Sequence, residues 1–143
     1  MADRGFRLIV LTGARAVIDE TVESIIAPGT EGYLGVLRNH APLVTGLMPG
    51  KLTVGRLDGR RDMYALSGGF LEVRNNVATV LADALESPDR IDVERAKRAA
   101  ERARKRLAER EASLDVARAE AALKRALNRI RVVQGERRAA VRG

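Results

Sequence analysis

Between Phe6 and Ala84 apolar positions alternate with polar ones or gather in short runs, the pattern of half-buried β-strands. The runs are Leu8-Ile9-Val10-Leu11, Ala16-Val17-Ile18, Val22 to Ile26, Lys51 to Val54, Met63 to Leu66, Phe70 to Val73 and Val77 to Leu81. Turn-forming residues separate them: Thr12-Gly13, Ala27-Pro28-Gly29, Met48-Pro49-Gly50, Leu57-Asp58-Gly59, Ser67-Gly68-Gly69 and Asn75-Asn76. Asp58-Gly59 and Asn75-Asn76, each flanked by alternating residues, predict tight hairpins. Many short strands spaced about 8–12 residues apart predict a sandwich or flattened barrel rather than a βαβ fold.

At Ser87-Pro88 the period lengthens. Ser87 is the expected helix cap and Pro88 the first helical residue, the one helical position that suits proline. Alanines 96, 99, 100 and 103 with Leu107 form one narrow apolar stripe. Leu114, Ala117, Ala121, Ala122, Ala126, Leu127 and Ile130 form a second. A break near Glu111-Ala112-Ser113 leaves two helices of about 20 residues, whose alanine faces suit close antiparallel packing. The expected fold is an all-β N-terminal flattened sandwich or barrel over 1–86, then a C-terminal antiparallel α-helical hairpin over 87–134. Residues 135–143 are expected to form a flexible tail. The hairpin buries little area per residue, which makes it the candidate moving part.

Composition narrows the chemistry. Hydrophobic residues make up 45% of the 143 positions but aromatics only 3%, so the core must be built from aliphatics and alanine. The absence of cysteine excludes disulfides, thiolate metal sites and a cysteine nucleophile, and one histidine is too few for a histidine metal cluster. No run of about 18 apolar residues exists to span a bilayer. The opening MADRGFRLIVLTG lacks the layout of a signal peptide, which predicts a mature protein kept in a cytoplasm-like compartment. Charge is uneven. Residues 1–87 carry nine Lys/Arg against ten Asp/Glu, net −1, whereas 88–143 carry seventeen against nine, net +8. The second part therefore faces an acidic partner.

No set of residues reads as catalytic, and no metal site is expected. Ser67-Gly68-Gly69 lacks the nucleophile-elbow spacing and fits a strand corner. His40 stands alone in the loop Arg38-Asn39-His40-Ala41-Pro42. Neither a phosphate loop nor a carboxylate cluster for Mg²⁺ is present. Arg95, Arg98, Arg102, Lys105 and Arg106 would suit nucleic-acid phosphates, which leaves a basic adaptor for nucleic acid or acidic proteins as the alternative function. Glu94, Glu101 and Glu109 interrupt that series, however, and no aromatic offers base stacking, as on a solvated helix face.

Two stretches, Glu31-Gly32-Tyr33-Leu34-Gly35-Val36-Leu37-Arg38-Asn39-His40-Ala41-Pro42-Leu43-Val44 and Leu66-Ser67-Gly68-Gly69-Phe70-Leu71-Glu72-Val73, resemble hallmark segments of the epsilon subunits of bacterial F-type ATP synthases. The likeness spans about Arg7 to Val132, and the order of sandwich then hairpin is the same. It implies a non-catalytic rotor subunit of the central stalk that binds the γ subunit and the c-ring and couples proton-driven rotation to ATP synthesis. Such a subunit sits peripherally on the cytoplasmic face of the cell membrane, held there only through the complex. Glu31, Tyr33, Arg38 and His40 are the implied contacts to γ and the ring. Family members commonly carry Glu in place of Tyr33 and Pro-Gly in place of Arg38-Asn39.

A third stretch, Ile91-Asp92-Val93-Glu94-Arg95-Ala96, resembles the motif that opens the first helix in ATP-binding members. The resemblance implies ATP as a regulatory ligand, with no catalytic cofactor, favouring the folded hairpin through Glu86, Ile91, Asp92, Arg95, Ala96, Arg102, Arg125 and Arg129. Arginine forks suit phosphates, and Arg125 and Arg129 share a helix face. The alternative is that Asp92 merely complements a helix N-terminus and the arginines are surface charge. The family also implies a brake on hydrolysis. The opened helices would meet the α3β3 ring through a basic face of Arg102, Arg104, Lys105 and Arg106, unless the hairpin is a permanent strut.

Overall fold

A computed structural model describes residues 4–13, 15–109 and 114–142, with the backbone alone for 136–142. The chain divides into two compact units, 1–86 and 87–143. The first holds eight strands: β1 (Phe6–Thr12), β2 (Arg15–Val22), β3 (Ser24–Gly29), β4 (Gly32–Leu37), β5 (Leu43–Gly55), β6 (Arg61–Arg74), β7 (Val77–Ala82) and β8 (Leu85–Glu86). They hydrogen-bond in the order β2-β1-β7-β6-β5-β3-β4, with β8 beside β6. Neighbours are antiparallel except β1 and β7, which run parallel from Arg7↔Val77 to Thr12↔Ala82.

In β1, Phe6, Leu8 and Val10 face the core while Arg7 faces solvent, the two-residue period of a strand. Leu8, Ile25, Leu52, Leu66 and Leu71 are fully buried with Val10, Val22, Val36, Val54 and Val80. Each such side chain contributes about 1.5–3 kcal/mol. The core is thus aliphatic, and Phe6 is its one fully enclosed aromatic ring among the described residues.

The strands depart from the expected runs in four places, the first being that Ala27-Pro28-Gly29 does not separate strands but is the second half of β3, paired with Gly32 to Leu34 of β4. The stretch Val22 to Ile26 is not one strand: Val22 ends β2, Ser24 opens β3, and the N–H of Glu23 between them donates to the Gly55 carbonyl at 2.8 Å. Strand β4 has no counterpart among those runs, because Gly32 and Gly35 dilute its apolar pattern. Met48-Pro49-Gly50 and Ser67-Gly68-Gly69 do not separate strands either. They lie inside the long β5 and β6 and face each other, with Pro49 opposite Ser67 and Gly50 opposite Leu66. There the glycines make the corner: Gly68 and Gly69 have φ of 108° and 144°, and a Cβ on Gly69 would run into the Leu81 carbonyl oxygen. Beyond the corner β6 exchanges its neighbour β8 for β7. Asn75 and Asn76, with φ of 51° and 61°, form the two-residue hairpin that their types predict.

The second unit opens with a single 3-10 turn, Pro88–Arg90, then α1 (Val93–Glu109) and α2 (Val116–Arg142), which pack as a hairpin. Ser87 precedes only the short turn and makes no side-chain capping bond there, so it does not cap the α-helix. Ile91 returns to an extended backbone, φ −87° and ψ 121°, and Asp92 then caps α1 instead. The expected break at 111–113 lies outside the described residues. The helices are 17 and 27 residues long rather than equal. Helix α2 continues through Gly135, which costs about 1 kcal/mol in a helix interior but removes no hydrogen bond. Ala96, Ala100 and Ala103 are buried on α1, as their stripe predicts. On α2 the buried apolar residues are Ala119, Ala126, Val132 and Val133, whereas Ala117 is exposed.

Candidate functional site

The start of α1 shows what its motif does locally. The Asp92 carboxylate Oδ1 accepts from the Arg95 N–H at 3.0 Å, and the Asp92 carbonyl accepts from the Ala96 N–H at 3.0 Å. Ile91 and Ala96 are buried, while Asp92, Arg95 and Arg102 are exposed and Arg125 and Arg129 half-buried. Glu86 belongs to the other unit, where β8 pairs it with Ala65. Within the hairpin a groove of about 800 Å³ brings Arg102 and Arg125 together. Its lining also includes Arg106 and Arg118, but not Ile91, Asp92, Arg95, Ala96 or Arg129.

At about 100° per residue, Arg102, Lys105 and Arg106 lie within about 100° of one another, and Arg104 about 100° beyond Lys105. Arg102, Arg104 and Lys105 border one hollow with Glu101 and Ala108. Arg104 pairs with Glu101 at 2.9 Å one turn earlier. Arg102 and Arg106 line the groove.

On the sandwich, the four expected contact residues fall into two places. Glu31 lies in the β3–β4 turn and Arg38 follows β4, so a six-residue strand, about 20 Å, separates them. Tyr33 is on the strand itself, and its hydroxyl accepts from the Lys51 N–H at 3.0 Å. That N–H lies where the register between β3 and β5 shifts, so the phenol serves a backbone donor left out of the ladder. Arg38 and His40 sit at the other end. Asn39 has φ of 60° and donates its N–H to Asn76 Oδ1 at 2.8 Å, and Asn76 Nδ2 donates to the Gly5 carbonyl at 3.1 Å. The His40 N–H donates to the Leu37 carbonyl at 3.2 Å, closing the turn.

One feature was not singled out in the sequence. Register places Ala16, Leu11, Leu81, Phe70 and Gly46 side by side across β2, β1, β7, β6 and β5. This row crosses the solvent side of the sheet: Phe70 is 60% exposed and Leu81 51%, with Val44 and Met48 on the same face at two-residue steps from Gly46. Thr30 closes one end, its N–H donating to the Gly46 carbonyl at 3.2 Å, so Glu31 borders the row. Strict alternation would make Phe70 polar; a large apolar residue at the outward position after Gly69 was the available signal.

A different cluster braces the sheet. Arg56 is paired with Glu20, donates through Nε to Asp62 at 2.8 Å and through Nη2 to the Tyr64 hydroxyl at 2.8 Å. Burial disfavours the guanidinium charge, but the two carboxylates outweigh it and hold the Arg56 pKa well above its usual value. Burial also pushes the Tyr64 phenol up, although Arg56 opposes this.

Fold and surface together define a class: a sandwich that presents an uncovered apolar face, joined to a basic helical hairpin. Known proteins are consistent with it. Residues 5–88 match the model of the ATP synthase delta/epsilon chain beta-sandwich domain, and 89–134 that of the delta/epsilon chain long alpha-helix domain. The chain is 49% identical over 124 residues to the ATP synthase epsilon chain of Moorella thermoacetica, covering 87% of this chain and 92% of that one. It is 47% identical over 128 residues to that of Desulforamulus reducens, covering 90% and 96%. Among solved structures, a chain of the Euglena gracilis mitochondrial ATP synthase (OSCP/F1/c-ring) superimposes with a TM-score of 0.75 at 29% identity, over 85% of this chain and 76% of that one. The chain belongs to the ATP synthase epsilon family. Among the described residues, no helix is long and apolar enough to cross a membrane.

Proposed function

We propose that this chain is the non-catalytic central-stalk subunit of a proton-translocating F-type ATP synthase, bound to γ and to the c-ring. The observation that carries this is the apolar row through exposed Phe70 and Leu81 to half-buried Leu11. An apolar band of this extent on a small domain marks a docking face, since its burial is worth about 25 cal/mol per Å². The row lies on a hydrogen-bonded sheet with fixed register, so a partner seated there is gripped by a stiff body that transmits torque without yielding. Glu31 at its end and Arg38 and His40 beyond β4 supply polar contacts at separate points. Localisation follows from the complex: the subunit lies peripherally on the cytoplasmic membrane face, held by the ring rather than by lipid.

The hairpin supplies regulation. ATP favours its folded form through the opening of α1 and the arginines of the helices, and the opened form brakes hydrolysis by presenting basic side chains to the acidic α3β3 ring. Replacing Phe70 and Leu81 together by Glu tests the docking step. Copurification with γ is expected to fall by about tenfold or more, the scale of losing two central apolar anchors, with the sandwich still folded by circular dichroism. Undiminished γ binding by that variant would move the interface elsewhere.

A further inference from the structure

We infer that Asn76 is a positioning residue whose side chain ties the turn carrying Arg38 and His40 to the body of the sandwich and so presents it to the rotor; this rests on the proposed role of those two residues as contacts. The turn runs from Leu37 to His40, closed by the His40 N–H on the Leu37 carbonyl at 3.2 Å. Its third residue, Asn39, has φ of 60°, whereas Arg38 before it keeps a negative φ. That combination suits proline followed by glycine, the first restricting the chain beforehand and the second entering the left-handed region without strain. Arginine and asparagine provide neither advantage. Both are exposed, so packing does not hold the turn.

The Asn76 amide makes up for this from a distance. Its Oδ1 accepts from the Asn39 N–H at 2.8 Å and its Nδ2 donates to the Gly5 carbonyl at 3.1 Å, joining segments 37 and 71 residues away along the chain. Gly5 is a fixed anchor: it is buried, and a Cβ there would meet the Val22 carbonyl oxygen at 2.8 Å. The Asn76 carbonyl accepts from the Arg7 N–H at 3.2 Å, which holds the residue that carries the bridge. One end of the bridge must accept and the other donate, as an amide does, whereas a carboxylate of the same length would set an oxygen against the Gly5 carbonyl. The hairpin itself does not ask for this side chain. Asn76 has φ of 61°, and at the second position of such a turn glycine is the easier residue. The amide is therefore explained by what it holds, not by the turn it sits in.

N76G tests this, because it removes the bridge while giving the hairpin the favoured Asn-Gly pair. In the full chain, amide hydrogen exchange at Asn39 should speed up by about tenfold while the strands of the sandwich keep their protection. Affinity for a γ–c-ring complex lacking this subunit should fall by about fivefold, the order of one hydrogen bond. N75G, which alters the same hairpin and leaves the bridge in place, should match the native chain in both measurements. In an R38P/N39G background, where the turn is preset, adding N76G should lower affinity no further. Equal exchange at Asn39 in the native chain and N76G, or an equal loss of affinity on N76G in both backgrounds, overturns the positioning role. So does native affinity in N76G where R38A/H40A loses it. Faster exchange at Asn39, with native affinity in both N76G and R38A/H40A, upholds the tie and overturns the contact role of the turn instead.

Discussion

Tyr64 and Asp19 set opposite flanks of the sandwich's stability. Burial holds the Tyr64 phenol in its protonated form beyond the usual phenol range. The unfolded chain releases that proton at about pH 10, so the contribution is complete below that pH and is lost as pH rises through the higher folded value. At the acid side, Arg7 donates two hydrogen bonds to Asp19, at 2.9 and 2.8 Å, and holds its carboxyl below the usual range. That contribution is present above about pH 4 and disappears as pH falls through the folded value. Both groups of the acid pair are largely exposed, so the acid flank is expected to be shallow. Urea denaturation across pH, compared with Tyr64→Phe, checks this: the substitution should remove the alkaline flank and leave the acid one.

Asp92 separates two roles at the scale of a helix. As cap of α1 it is worth about 1 kcal/mol, so Asp92→Ala should lower the helical unit's stability by that amount. Asp92→Asn keeps an acceptor for the Arg95 N–H and removes only the charge. If the carboxylate also contacts ATP, Asp92→Asn should weaken ATP binding in calorimetry while helicity stays native. The sequence made the period change near Ser87 legible, because alanine spacing and the lack of glycine between Pro88 and Gly135 need no tertiary partner to be read. It placed the cap five residues early, since Ser-Pro is a good local start and nothing local announces that Ile91 turns extended. The corner at Pro49 and Gly68-Gly69 was equally hidden. Glycine and proline mark a bend in either case, and only pairing across β5 and β6 decides whether the strand ends or continues. The role of Tyr33 depends on a register shift in two other strands, which no local pattern encodes.

Across the whole molecule, charge and apolar surface are segregated. The +8 of residues 88–143 belongs to the helical unit, and the exposed apolar row to the sandwich. Docking and regulation are then separable by cutting the chain between them. Truncation after Glu86 is expected to leave a folded sandwich that assembles into F1 and supports synthesis, while hydrolysis by the reconstituted enzyme rises. If, as proposed, exposed charges hold a braked state, raising salt should release hydrolysis in the full-length complex and change the truncated one little. Equal hydrolysis by both forms at every ATP and salt concentration would reduce the hairpin to a strut.

The parallel pairing of β1 with β7 gives this protein a timetable. Leu11 and Leu81 are neighbours in the row but seventy residues apart in the chain. Closing that loop carries an entropic cost before the pairing returns anything, so the sheet is slow to complete. During synthesis β1 leaves the ribosome long before its partner exists. The exposed apolar row therefore cannot form until β7 has emerged, and a chain stalled short of Ala82 lacks the strand that carries Leu81. If that row docks on the rotor, as proposed, assembly is checked by length, because only a finished sandwich presents it.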